Sequence, residues 1–176
     1  FATLWIDRKT VEEIIPKKHV IPGRTEEIQS KDGFSVFIEN AHTADALENV
    51  LWTLQEMKWK GRIITVFGCT GDRDTSKRPI MGQVVSRLSD VVLVTQDDDY
   101  TENTGKIIKD ILPGIDRKQW EDFWIIPDRR EAIRTALVMA KKDDLIMIAG
   151  KWDEHALITN QWPIEWHEKT IVQEML

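Results

Sequence analysis

The chain has little sulfur and no long apolar run. It contains a single cysteine, Cys69, among 176 residues, so a disulfide framework is excluded and a reducing cytoplasm is expected. The apolar runs at residues 63–67 and 145–149 are far shorter than the roughly 20 residues that span a bilayer, and no secretory signal is recognised at the amino end. No membrane contact is therefore expected.

An excess of positive charge is also missing. The sequence has 24 basic and 30 acidic residues, and its net charge of −6 argues against nucleic acid as a partner. The histidines at 19, 155 and 167 lack metal-ligand spacing with Cys69, so no metal site is predicted. No linker-like stretch divides the chain.

What the chain does contain is a regular alternation of short apolar runs and amphipathic segments. Buried strands are predicted at 34–38, 62–67, 91–95, 123–126 and 145–149, with an edge strand at 156–159. Helices are predicted at 43–58, 80–88, 104–111, 129–141 and 166–176. This order predicts an α/β fold with a mostly parallel, Rossmann-like sheet and helices on both faces. The first thirty residues fit the alternation poorly and are interpreted as the tail of a preceding domain.

Two loops rich in glycine and charge follow predicted strands, at 67–74 and 149–154. Since ligands bind at the carboxyl ends of parallel strands, both loops are expected to face one pocket for a zwitterionic or phosphorylated ligand. The alternative is a solvated loop whose charges pair with one another. The spacing of a P-loop is absent.

Two further junctions are candidates. At 39–45, Thr43 is placed to cap a helix whose free amides can receive an anion, and His42 can contact a nucleotide or form a local hydrogen bond. At 96–100, three adjacent aspartates can bind a metal or a cationic amine, or form an acidic loop without a ligand.

Taken together, the segments 38–47, 67–79, 128–133 and 149–151 resemble motifs of the carboxy-terminal domain of Mur ligases, in order and at family spacing. The MurE-type pattern, that of the UDP-N-acetylmuramoyl-dipeptide ligases, is the most similar. The resemblance covers the chain from residue 22 onwards. It implies that residues 1–30 are the tail and hinge of a central ATPase domain and that residues 31–176 form the amino-acid-binding domain.

The resemblance also implies ATP-dependent amide formation in peptidoglycan synthesis. The substrates would be UDP-MurNAc-L-Ala-D-Glu, activated as an acyl phosphate, and a diamino acid, L-lysine or meso-diaminopimelate. ATP and Mg²⁺ would be held mainly by the central domain, with a further amino-terminal domain on the UDP-sugar. The domain by itself is expected to be inactive and to carry no catalytic residue.

Residue roles follow from the matched motifs. Positions matching nucleotide contacts are Arg24, Glu39, His42 and Thr43. Positions matching amino-acid contacts are Arg73, Gly150 and Glu154, and the acidic Asp97 and Asp98 are expected to attract an ammonium group. For Lys77, Arg78, Asp128 and Arg129 a purely structural role remains the alternative.

The chain departs from the family pattern in two ways. Residues 97–100 replace the Asp-Asn-Pro-Arg motif of the diaminopimelate enzymes, so the arginine that would hold a second carboxylate is absent and L-lysine or a similar amino acid is favoured. Four tryptophans occupy glycine-like or turn-like positions: Trp5, Trp120, Trp152 and Trp162. They suggest a UGA codon that is read as glycine in the source organism.

Two other classes stay open at this point. A non-catalytic ligand-binding module would keep the same sheet, and a folate-glutamate ligase shares the three-domain plan. An upstream P-loop would favour an enzyme over a binding module.

Overall fold

The computed structural model describes residues 26–57, 60–151 and 154–176, and its centre is a six-stranded sheet. The strands are β1 (Glu26–Gln29), β2 (Ser35–Glu39), β3 (Ile63–Phe67), β4 (Val91–Val94), β5 (Phe123–Ile125) and β6 (Leu145–Ala149). Their order across the sheet is β1-β2-β6-β3-β4-β5. All neighbours from β2 to β5 are parallel, and β1 pairs antiparallel with β2. The predicted fold class is confirmed.

Among the described residues, five α-helices cover the sheet: α1 (Ala44–Glu56), α2 (Lys77–Leu88), α3 (Thr104–Ile111), α4 (Arg129–Met139) and α5 (Glu168–Met175). A short 3₁₀ turn, Leu112–Gly114, ends α3 as the Pro-Gly sequence predicts. None of the described helices is long and apolar enough to cross a membrane.

Both faces of the sheet are buried, and β6 shows why. Leu145, Met147 and Ala149 belong to the core shared with α1, α2 and α3, whereas Ile146 and Ile148 belong to the core shared with α4 and α5. Successive side chains of a strand point to opposite faces, so a strand covered on both sides must be apolar throughout. The continuous apolar runs of the sequence therefore become the central parallel strands.

Three elements differ from expectation. The strand at Ala156–Ile158, β7, does not lie at an edge of the main sheet but pairs antiparallel with β8 (Pro163–Glu165) in a separate ribbon. Strand β1 lies within the segment that the sequence analysis assigned to a preceding domain. Its residue Glu26 forms an ion pair with Lys169 of α5 at 2.6 Å. Helix α2 begins at Lys77 instead of residue 80, since Pro79 is tolerated in a first turn that needs no amide donor.

Candidate functional site

A cavity of about 470 Å³ opens at the carboxyl ends of the parallel strands. Its lining residues come from the loops after β2, β3, β4 and β6 and from the start of α2: Asn40, His42, Thr43, Thr70, Arg73, Lys77, Asp97, Asp98, Tyr100, Gly150 and Glu154. Arg73 and Glu154 thus share one cavity, as two converging loops predict. This is the position where open parallel sheets bind ligands.

Most of the predicted site residues meet in this cavity. Seven of them line it: His42, Thr43, Arg73, Asp97, Asp98, Gly150 and Glu154. Glu39 is buried at the end of β2 and is not among the lining residues, and Arg24 lies outside the described residues. The sequence prediction did not include Asn40, Thr70 or Tyr100 as site residues, although each lies in one of the loops singled out at 39–45, 67–74 and 96–100.

Helix α1 begins at the cavity as its sequence predicts. The Thr43 hydroxyl accepts a hydrogen bond from the Ala46 amide at 3.3 Å, which makes Thr43 the N-cap. His42 donates through Nδ1 to the Asn40 carbonyl at 2.8 Å, so the local hydrogen bond is present. Because a carbonyl only accepts, the neutral ring carries its free lone pair on Nε2. Lys77 donates to the His42 carbonyl at 3.2 Å and brings a positive charge to the same end of the cavity.

The loops after β3 and β4 are tied to each other. The Gly71 amide donates to the Asp98 carbonyl at 2.6 Å, and the Asp72 carboxylate accepts from the Thr101 hydroxyl at 2.7 Å. A β-carbon on Gly71 would lie 1.9 Å from the Asp99 carbonyl, so only glycine permits this approach. Asp72 and Tyr100 both have left-handed backbone, with φ of 53° and 50°. These contacts set Arg73 and Tyr100 beside each other at the cavity.

Arg78 has a structural role in the same loop. Its fully buried side chain forms ion pairs with Glu102 at 2.6 Å and with Asp110 at 2.8 Å. Hydrogen bonds from Arg78, then from the Asp72 amide, lower the pKa of Glu102 to about 2. These ion pairs hold the loop and favour the structural alternative raised for Arg78.

Arg129 and Asp128 are structural as well. The Asp128 carboxylate caps α4 by accepting from the Glu131 amide at 3.0 Å. Arg129 is buried, pairs with Glu168 of α5 at 2.7 Å, and donates to the carbonyls of Gln96 and Ala149 at 3.1 Å and 2.9 Å. It thereby fixes the ends of β4 and β6, from which two walls of the cavity project.

Asp97 presents an unused acceptor beside Gly150. Its Oδ1 accepts from the Asp98 amide at 2.8 Å, while Oδ2 is buried and has no hydrogen-bond partner among the described residues. Gly150 has φ of +104°, and a β-carbon there would lie 2.7 Å from Oδ2. A buried carboxylate oxygen without a donor is costly, so this oxygen is suited to a ligand ammonium.

Lys151 forms a second charged cluster behind this wall. Its ammonium lies 2.5 Å from Asp98 Oδ1, 2.5 Å from Glu154 Oε2 and 3.0 Å from the Ala156 carbonyl. Burial alone would lower the pKa of Lys151, but the hydrogen bonds to Asp98 and Glu154 outweigh it and raise the pKa. The ammonium therefore stays charged and offsets part of the negative charge of this wall.

Arg73 supplies a positive charge to the cavity, opposite in sign to the carboxylates of Asp97 and Glu154. Its guanidinium lies over the Tyr100 ring, 5.9 Å from the ring centre, and has no ion-pair partner in the described part of the chain. A planar fork of donors suits a carboxylate. Within the described residues no group of three or more His, Cys, Asp or Glu side chains is arranged to hold a metal ion.

Two of the four unusual tryptophans can be placed. Trp120 has φ of 73° with the side chain 68% exposed, a backbone conformation that favours glycine. Trp162 is 63% exposed. Trp5 and Trp152 lie outside the described residues.

Comparison with known proteins identifies the family to which this site belongs. Residues 23–152 match the family described as Mur ligase, glutamate ligase domain. The chain belongs to the Mur ligase family. This domain is 42% identical over 174 residues to a UDP-N-acetylmuramoyl-L-alanyl-D-glutamate--2,6-diaminopimelate ligase of Clostridium botulinum and 43% identical over 173 residues to one of Clostridioides difficile. The two matches cover 97% and 98% of this chain, but the chain spans only 35% of the length of each relative.

Solved structures agree on the fold. A solved UDP-N-acetylmuramoyl-L-alanyl-D-glutamate--2,6-diaminopimelate ligase superimposes with a TM-score of 0.79 at 34% identity, covering 97% of this Mur ligase domain and 34% of the solved chain. Escherichia coli FolC in complex with ADP superimposes with a TM-score of 0.60 at 17% identity, covering 84% of this domain and 33% of that chain. At that identity the second likeness shows the fold alone.

Proposed function

We propose that this Mur ligase domain binds the incoming amino acid in a larger, cytoplasmic, ATP-dependent ligase. That enzyme would join a diamino acid to UDP-MurNAc-L-Ala-D-Glu in peptidoglycan synthesis, through an acyl phosphate. The observation that carries the proposal is the single cavity in which Arg73 faces the same space as Asp97 and Glu154. A free amino acid carries both a carboxylate and an ammonium, and fixed charges of both signs can select for it.

The cavity supplies different partners to the two ends of the ligand. Arg73 would receive the α-carboxylate of the amino acid in its two-pronged guanidinium. The unpaired Oδ2 of Asp97, together with Glu154, would receive an ammonium. In the reaction, the Arg73 contact would aim the adjacent α-amine, as its free base, at the activated carboxyl carbon, from which phosphate would leave, since positioning alone lowers the barrier substantially. The distal ammonium of the side chain would stay on Asp97 and Glu154.

The end of the cavity at α1 is proposed to face ATP. Lys77 and the amino end of the helix place positive charge and donors there, which suits a phosphate group. ATP would supply the phosphoryl group that activates the carboxylate. Contacts from Arg24, Glu39 and Thr43 to the nucleotide stay predictions. Mg²⁺ is assigned mainly to the central ATPase domain, as the family resemblance implies.

For the amino acid itself we propose L-lysine or another diamino acid with one carboxylate. Tyr100 stands where the diaminopimelate motif has an arginine, and its ring is occupied by Arg73. The relatives named above are diaminopimelate ligases, so this departure marks the point at which the chain would differ from them.

The test is an ADP-release assay on the full-length protein that contains this chain. With UDP-MurNAc-L-Ala-D-Glu and ATP, we expect turnover with L-lysine and a product heavier by one lysine residue. Arg73→Lys should raise the KM for the amino acid, whereas Arg134→Lys, an exposed residue of α4, should not. Preferential incorporation of meso-diaminopimelate would contradict the assignment of lysine, and turnover with neither would contradict the ligase. Because ATP activation is assigned to the central domain, the 176-residue chain alone is expected to release no ADP.

A further inference from the structure

We propose that Asp98 is a positioning residue that orients Glu154 through Lys151, and does not itself hold the amino acid. This inference rests on the proposed function, and it explains what holds the Glu154 side chain in place in that site. Asp98 follows β4, whereas Lys151 and Glu154 follow β6, so the three side chains come from two loops.

The hydrogen bonds of Lys151 are fully used within the protein. An ammonium has three N–H donors. Those of Lys151 reach Asp98, Glu154 and the Ala156 carbonyl, and the side chain is completely buried. Lys151 therefore has no donor left for a ligand, and its effect on the cavity passes through the groups it holds.

Asp98 is held from several directions. Its Oδ1 accepts from Lys151 and also from the Ile158 amide at 2.7 Å, and its carbonyl accepts from Gly71. Because Oδ1 already receives two donors and the side chain is only 12% exposed, the protein itself sets the position of Asp98. Moving Asp98 would also break the hydrogen bond that anchors the β7–β8 ribbon at Ile158. The Asp98 carboxylate is therefore held in one position.

Glu154 is the member of the cluster that can reach a ligand. Its side chain is 43% exposed and lines the cavity, and only Oε2 contacts Lys151. Oε1 has no hydrogen-bond partner among the residues the structure describes. An exposed glutamate would sample several rotamers, but the bond to a buried ammonium restricts it to one orientation.

The charges also favour this arrangement. With Asp98 in place, the single positive charge of Lys151 is shared between two carboxylates, so Glu154 keeps part of its negative charge for a ligand. If Asp98 were neutral, Lys151 would be paired with Glu154 alone and would offset its charge more completely. The identity of residue 98 would then set how strongly Glu154 attracts a cationic amino acid.

The test is a double-mutant cycle on the full-length protein, with L-lysine as the varied substrate. Asp98→Asn and Glu154→Gln should each raise the KM for lysine about tenfold and leave kcat within twofold. The double variant should be no worse than Glu154→Gln alone, because both changes remove the same contact. Asp32→Asn, an exposed change in the turn before β2 at the far end of the sheet, serves as the matched control and should leave KM unchanged.

Each outcome bears on the proposal. Additive effects on KM, close to a hundredfold in the double variant, would overturn it, since Asp98 would then act independently of Glu154. A wild-type KM in Asp98→Asn would overturn it as well. If Asp98→Asn does not fold, Asp98→Glu is used in the same cycle, because it keeps the charge while displacing Lys151. Turnover of lysine by the wild type separates these results from a failure of the proposed ligase activity.

Discussion

The buried ion pair between Arg129 and Glu168 gives the most demanding test of the fold around the site. The two side chains are 0% and 1% exposed, and Arg129 also donates to the carbonyls that end β4 and β6. Burial disfavours the charged guanidinium, yet Glu168 and then Asp97 and Asp98 outweigh it and raise the pKa of Arg129. Replacing Glu168 by glutamine therefore leaves a buried charge without its counter-charge.

Breaking a buried pair on one side costs about 3–5 kcal/mol. We take about 3 kcal/mol for Glu168→Gln, since the amide oxygen still accepts one bond, while the Trp166 indole loses its acceptor. For a domain of this size that loss corresponds to a fall in Tm of about 6–12 °C. Urea denaturation of the 176-residue chain, followed by circular dichroism, measures the change in the free energy of unfolding.

The same pair of helices contains a matched control. Arg130 and Glu174 also join α4 to α5, at 3.0 Å, but their side chains are 44% and 56% exposed. An exposed pair contributes about 0–1 kcal/mol, so Glu174→Gln should have little effect on the free energy of unfolding. Equal losses in the two variants would refute the argument that burial, and not the ion pair as such, makes Arg129 essential.

Three further changes test other parts of the structure. Trp120→Gly should raise the free energy of unfolding by about 1 kcal/mol in the same urea assay, because the left-handed backbone at this exposed position suits glycine; no gain would argue against the glycine interpretation. Gly150→Ala should raise the KM for the amino acid in the full-length protein, since its β-carbon would press on Asp97 Oδ2; an unchanged KM would place the ligand elsewhere. Burial raises the pKa of the Cys69 thiol to about 12, so at pH 8 a thiol reagent should react with it only after unfolding, and rapid reaction of the native protein would contradict its burial.

Much of the fold follows from local patterns. The apolar runs at Leu145–Ala149 and Ile63–Phe67 are strands because they are buried on both faces, and the predicted limits of 145–149 and 104–111 agree with the structure. Helix α1 begins after Thr43 as its capping side chain predicts. Each of these features depends on residues close together in the sequence, so the periodicity of apolar residues and the capping residue predict it.

Features that depend on distant partners were harder to predict. Strand β8 contains Pro163 and only three residues, so it has no periodicity and exists because β7 pairs with it. The first turn of α2 is held in place by Arg78, whose partners Glu102 and Asp110 follow it by 24 and 32 residues. The positive φ of Tyr100 occurs beside the hydrogen bond from Thr101 to Asp72, which ties two loops that are distant in sequence.

The sequence by itself determined the alternation of strands and helices, and hence that the loops at 67–74 and 149–154 would meet at one end of a parallel sheet. Only the tertiary structure decided which charges remain available there. The charge of Lys151 is shared between Asp98 and Glu154, and Arg129 is paired with Glu168. Among the described residues, one oxygen of Asp97 and the guanidinium of Arg73 remain without a charged or hydrogen-bonding partner. The physical reason is that periodicity is a local property, while the pairing of buried charges depends on which distant segments the fold brings within hydrogen-bond distance.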